Sequence, residues 1–205
     1  MTVASPSNAS RSAQAVVEPA TGRRIDLDRV RRTVAGARRD GRSTLLEPEG
    51  LEVLDAIGLA VPDWVFVPIE CLNAGGGIAP RDLAGLHGDR VVVKVVGASI
   101  AHKTELGGVA EVERDTMAVT AEMRDMVERL AAERPAGCLA ASYVEHEPSL
   151  VGELLVALRW TADFGPIVAV GGGGVLAERL AAELRPGAGL AIVSAEARDE
   201  HEIEA

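Results

Sequence analysis

The chain has 205 residues, 47% of them hydrophobic, enough to bury one core or two small lobes sharing an interface. Its formal charge is −10 and unevenly spread: residues 1–45 hold nine Arg against four acidic residues, a net of +5, which leaves −15 for the remainder. An acidic body with five aromatic side chains (two Trp, one Tyr, two Phe) repels polyphosphate backbones and offers little for bases to stack on, so nucleic acid is excluded as a partner. No apolar run approaches the roughly 20 residues of a membrane helix, and the first residues lack a secretory signal, so the chain is expected to be soluble, cytoplasmic and free of membrane. Cys71 and Cys138 have no metal-ligand spacing and read as small apolar residues of a reducing compartment.

Residues 1–25, rich in Ser, Ala, Asn and Pro, read as a disordered head. Residues 26–44 form a helical extension: Asp26 caps a helix whose Leu27, Val30 and Val34 share a face, with Arg31, Arg32, Arg38 and Arg39 solvated. Pro48 sits in the first turn of a second helix, with Leu51, Leu54 and Ile57 at three-residue spacing and Gly58 as its stop. Trp64 to Val67 is a short strand, and Asn73 to Gly77 a surface connection, lacking the flanking strand and helix of a phosphate loop. Val91 to Val96 is the strongest strand signal, followed by a polar loop from Gly97 to Gly108 and a strand from Val109 to Glu113. A helix is predicted from Thr116 to Arg134, closed by Pro135. Strands are predicted at 138–144, 151–159 and 166–170, the last two joined by a turn at Asp163-Phe164-Gly165, with a helix from Val175 to about Leu184. Residues 190–205 read as a short strand and an acidic tail.

Lys94 is the one cation in an apolar strand, and such a side chain either snorkels outward at an edge or points into a cleft toward a charged partner. The loop after it brings His102, Lys103, Thr104, Gly107 and Gly108 together. Paired glycines let backbone amides approach phosphate oxygens, and Lys103 adds a point charge. His102 has two readings, a surface loop histidine or a nucleophile that carries a phosphoryl group.

The string "VVVKVVGASIAHKTELGGVAEV" resembles the signature of the ATP-grasp module in ADP-forming acetyl-CoA and acyl-CoA synthetases. Upstream, "LLEPEGLEVLDAIGLAVP" is similar to the family's opening helix and turn. Downstream, "GELLVALRWTADFGPIVAVGGGGVLAERL" resembles its later strand and glycine-loop segment in order and spacing. Three motifs in order, over Leu45 to Leu184, are more specific than any one Gly-rich loop. The resemblance implies an α/β (α+β) ATP-grasp fold over residues 45–189, with mixed and antiparallel sheets, flanking helices and an incomplete C-terminal part.

It also implies roles. Lys94 reaches the nucleotide phosphates, His102 receives a phosphoryl group from ATP and passes it on, and Lys103, Gly107 and Gly108 close over the phosphates. Tyr143, Val144 and Glu145 fall where the adenine-reading hinge strand lies. Glu153, the single acid of its apolar stretch, faces the nucleotide, and Gly172 and Gly173, within the run Gly171 to Gly174, offer amides to an anion. Glu178 matches a family glutamate or is an exposed helix residue. ATP and Mg2+ are the implied cofactors, but the family's magnesium-holding segment has no counterpart here. Asp199, Glu200, Glu202 and Glu204 read as a solvated tail. The implied reaction is acid + ATP + CoA giving acyl-CoA + ADP + phosphate, with a small carboxylic acid and CoA as substrates and a CoA-binding alpha-type subunit on another chain. A non-catalytic nucleotide-binding module and a carboxylate–amine ligase sharing the fold are the alternatives.

Overall fold

A computed structural model describes residues 25–100, 103–146, 152–174 and 189–195, together with the backbone of residues 3–4. The chain divides into two compact units, Met1–Val144 and Glu145–Ala205. In chain order the first holds β1 (Val3–Ala4), α1 (Leu27–Arg39), α2 (Glu47–Ala56), β2 (Trp64–Pro68), α3 (Ile69–Asn73), α4 (Pro80–Leu83), β3 (Arg90–Val96), β4 (Val109–Glu113), α5 (Thr116–Arg129) and β5 (Gly137–Ser142). The second holds β6 (Leu154–Thr161), β7 (Gly165–Gly172) and β8 (Leu190–Ser194).

Helix α1 starts where the sequence places its cap: Asp26 Oδ1 accepts from the Arg29 amide at 2.9 Å, meeting one of the orphan donors of the first turn. The four expected solvated arginines are exposed. Arg29 is different, because it crosses to α2, donating to Glu52 Oε2 at 2.7 Å and Asp55 Oδ2 at 2.5 Å. Leu27, expected on the packed face, is 53% exposed, while Ala37 of α1 and Ala56 of α2 are buried.

The sheet of the first unit has the order β1-β2-β5-β3-β4, each pair antiparallel. Val3 and Ala4, inside the stretch read as a disordered head, pair with Phe66 and Val65. Two faces alternate along each strand with period two. On one, Val65, Val67, Val91, Val93, Cys138 and Ala140 pack with Val119, Met123 and Met126 of α5. On the other, Trp64, Val96, Leu139 and Ala141 meet Leu46 and Leu51 at the start of α2. Both faces are covered, which is why β3 and β5 read as nearly continuous apolar runs rather than as alternating ones. Burial pushes the Cys138 thiol up to about 12, aided by the negative charge of Glu122, in keeping with an inert core residue.

Several boundaries shift, among them those of β6 and β7, expected at 151–159 and 166–170 and found at Leu154–Thr161 and Gly165–Gly172. The helix expected to reach Arg134 ends at Arg129, followed by a 3-10 turn at Ala131–Glu133. The strand expected to continue to Val144 stops at Ser142. The connection at Asn73 to Gly77 begins as the end of α3 and leaves through Gly75, whose φ of 79° is left-handed.

The second unit is an antiparallel sheet of order β6-β7-β8. The hairpin turn at Asp163 to Gly165 is as the sequence predicts: Thr161 Oγ1 accepts from the Phe164 amide and donates to the Gly165 carbonyl, each at 3.1 Å, while Gly165 takes φ 69°. The helix read at 175–184 lies outside the described residues. Among the described residues no helix is long and apolar enough to cross a membrane.

Met123 is fully buried at the centre of the larger core, so its truncation removes apolar contacts and leaves a cavity. Met123→Ala should lower unfolding free energy by about 2–5 kcal/mol in urea denaturation, with an unchanged slope.

Candidate functional site

Strand β3 lies inside the sheet, between β4 and β5, so Lys94 cannot snorkel past an open edge. Its neighbours in register are Val109 and Leu139. Val91, Val93 and Val95 turn to the α5 side; Lys94, one residue out of phase, is on the face that α2 covers. A cation there requires a counterion. It is Glu47, the first residue of α2, whose Oε1 accepts from Lys94 Nζ at 2.8 Å. Lys103, from the loop after β3, donates to the other oxygen, Glu47 Oε2. The three side chains are mostly covered, at 33%, 20% and 23% exposure for Lys94, Lys103 and Glu47. Burial pushes the Glu47 carboxyl up, but the hydrogen bonds and charges of Lys103 and Lys94 outweigh it and hold the group below its ordinary value.

The loop carrying Lys103 is anchored at both ends. Ile100 is buried against Val95 and Leu130, and Ser99 Oγ donates to the Glu133 carbonyl at 2.8 Å. At the far end the Gly108 amide donates to the Lys103 carbonyl at 2.7 Å, and the Gly108 carbonyl accepts from the Val95 amide at 2.8 Å. A Cβ on Gly108 would stand 2.5 Å from Val95 Cγ1, so this approach requires glycine. Gly107 has φ 67°; its amide donates to Thr104 and its carbonyl accepts from Arg129 Nη2 at 2.8 Å. Glu47 thus brings Lys94 and Lys103 together, while Gly107 and Gly108 share the loop of Lys103 with their amides bonded within it rather than left open to a phosphate. His102 lies outside the described residues.

Tyr143 and Val144 follow β5 without belonging to a strand. The Val91↔Ser142 pair sits three residues from Lys94↔Leu139, so the end of β5, after which Tyr143 and Val144 follow, lies about 10 Å along the sheet from the lysine. In the second unit, Glu145 likewise has no regular structure. Glu153 precedes β6 instead of lying within it. Its carbonyl accepts from the Gly173 amide at 2.8 Å, and a Cβ on Gly174 (φ 74°) would stand 2.5 Å from Glu153 Oε1. His146 Nε2 is 3.9 Å from that same oxygen. Gly172, expected in a loop, is the last residue of β7 and pairs with Leu154. The glycine run thus folds onto the Glu153 backbone and carboxylate. Glu178 and the tail acids lie outside the described residues.

Two ammonium groups already converge on two oxygens of a single anion, the chemistry that a phosphate presents, so this cluster suits a nucleotide's phosphates. Magnesium differs. Among the described residues no group of three His, Cys, Asp or Glu is arranged to hold a metal ion, and Glu47 is committed to two cations.

The model of the ATP-grasp domain matches residues 36–186. The chain belongs to the ATP-grasp domain family. It is 34% identical over 140 residues to an acetate–CoA ligase (ADP-forming) I of Archaeoglobus fulgidus, a match covering 64% of this chain and 18% of that protein. To the beta subunit of acetate–CoA ligase (ADP-forming) I of Pyrococcus furiosus it is 29% identical over 160 residues, covering 75% of this chain and 64% of that one. The chain thus spans less than two thirds of either relative. A dinucleotide-forming acetyl-coenzyme A synthetase 1 of Ca. Korarchaeum cryptofilum, solved with coenzyme A, Ca-AMPCP and HgCl+, superposes with a TM-score of 0.62 at 25% identity, over 82% of this chain and 67% of that one. The same protein with a phosphorylated phosphohistidine segment matches with a TM-score of 0.50 at 26% identity, over 71% and 60%. This ATP-grasp domain is therefore related to the beta subunits of ADP-forming acetate–CoA ligases, and its own architecture is mixed α/β with antiparallel sheets and flanking helices.

The depressed Glu47 carboxyl makes the first unit's stability depend on pH. A group whose pKa is lower folded than unfolded contributes fully above its ordinary value, 4.5, and that contribution is lost as the pH falls through the lowered folded one. Between pH 7 and about pH 3, wild type should lose more unfolding free energy than Glu47→Gln, measured by urea denaturation at each pH.

Proposed function

We propose that this chain is the nucleotide-binding part of an ADP-forming acyl-CoA synthetase, converting acid, ATP and CoA to acyl-CoA, ADP and phosphate together with a CoA-binding chain. The observation that carries the reading is the convergence of Lys94 and Lys103 on one anionic group, with Lys103 directly following His102. The ADP-forming relatives and the phosphohistidine segment of the Korarchaeum protein support it.

In this scheme Lys94 and Lys103 bind the terminal phosphates of ATP and offset the charge that builds on their oxygens as the γ-phosphoryl group transfers. An imidazole nitrogen of His102 bonds to the γ-phosphorus as the bond to the ADP oxygen breaks, and ADP leaves with the electron pair. The phosphohistidine then yields its phosphoryl group to the substrate carboxylate on the partner. CoA thiolate displaces phosphate from the resulting acyl phosphate. Magnesium, when bound, neutralises phosphate charge. Tyr143, Val144, Glu145 and Glu153, with Gly172 and Gly173, are assigned to the nucleotide's adenosine and phosphate contacts on the strength of the family resemblance.

The test is incorporation of label from γ-labelled ATP with Mg2+ into the full chain. Wild type should take up acid-labile, base-stable label, and His102→Ala none. Equal labelling of His102→Ala would overturn the relay. ATP binding without any labelling of wild type would instead favour a module that holds nucleotide and does no chemistry.

A further inference from the structure

Glu47 stands at the first position of α2, where an acid is ordinarily explained by the helix dipole. That explanation does not account for its geometry. The capping work is done by Glu49, whose Oε2 accepts from the Leu46 amide at 2.7 Å and which Arg42 holds from outside, Nη1 to Oε2 at 2.6 Å. Glu47 turns instead onto the sheet face and gives one oxygen to each lysine, Oε1 to Lys94 and Oε2 to Lys103. Leu46 and Leu51, packed against Trp64, Val96, Leu139 and Ala141, fix α2 in the position that makes this reach possible. A carboxylate bound this way uses the same donors that two phosphate oxygens would use.

We propose that Glu47 is a resident anion that competes with the phosphates of the nucleotide for Lys94 and Lys103, and so sets how tightly the site takes a phosphate-bearing ligand. This rests on the reading of the two lysines as phosphate-binding groups. With Glu47 in place the three-residue cluster carries a net charge of +1; without its charge the cluster carries +2, and among the described residues no other carboxylate bridges the two ammonium groups. An arriving polyphosphate must displace or share the carboxylate and meets its repulsion at close range, whereas a nucleoside without phosphate meets neither.

Glu47→Gln keeps the volume and removes the charge, and its amide has only one oxygen to offer. Isothermal calorimetry on the full chain would compare ATP, ADP and adenosine, with far-UV circular dichroism verifying the fold. The expected result is roughly tenfold tighter binding of ATP and of ADP by Glu47→Gln, with adenosine affinity unchanged. Glu47→Asp retains the charge but is too short to bridge both lysines, and should give an intermediate gain for the phosphate ligands only; it decides the matter if the glutamine variant does not fold. ATP binding that is equal or weaker in both folded variants, with wild type binding ATP, overturns this inference and leaves the nucleotide-site reading standing. Absence of ATP and ADP binding in wild type and in both variants overturns the two together.

Discussion

Lys94, Glu47 and Lys103 come from a strand, a helix start and a loop, and meet on the sheet face that α2 covers. A lysine in an inner strand beneath a helix is tolerated only if an acid reaches it. That demand fixes the start of α2 over β3, and the same acid ties down the loop that follows β3. The apolar residues around it do the complementary work: Leu46 and Leu51 seat α2, while Ile100 seats the loop against Val95 and Leu130. Burial and charge here reinforce each other, since the pair of cations keeps ionised a carboxyl that burial alone would neutralise.

The arrangement also explains the economy of the glycine-rich loop. Its amides close hydrogen bonds inside the loop, and Gly108 is needed because Val95 leaves no room for a side chain. The loop therefore presents its positive charge through Lys103, with the backbone acting as the frame that holds that lysine in place. The second unit follows a similar plan. Gly173 and Gly174 fold against Glu153, so glycine there permits close approach to a carboxylate and its backbone.

Much of the first unit was legible in the sequence because its signals are local. Asp26 caps, Pro48 sits in a first turn, Gly58 stops a helix and the Val-rich run of β3 declares itself. Lys94 was conspicuous as a lone cation among valines. Its partner was not, because an acid at a helix start already has a local reason to be there and the pairing spans 47 residues. The one available signal was indirect: an inner-strand lysine demands a carboxylate from somewhere. Arg29 was missed for the same reason, its partners being on another helix. Glu153 and Gly172 were misplaced by one or two residues at strand ends, where apolar pattern is weakest and hydrogen-bond register decides. Likewise Tyr143 and Val144 extend an apolar run that pairing does not follow past Ser142.

Lys94 is the inner-strand cation that the proposed function sets against the nucleotide's phosphates. The most direct measurement is the dissociation constant of ATP, set against that of adenosine, for wild type and Lys94→Ala by calorimetry. The account predicts that ATP binding weakens by roughly tenfold or more while adenosine binding is unaffected. Equal ATP affinity in the two proteins, with the fold intact, would contradict it.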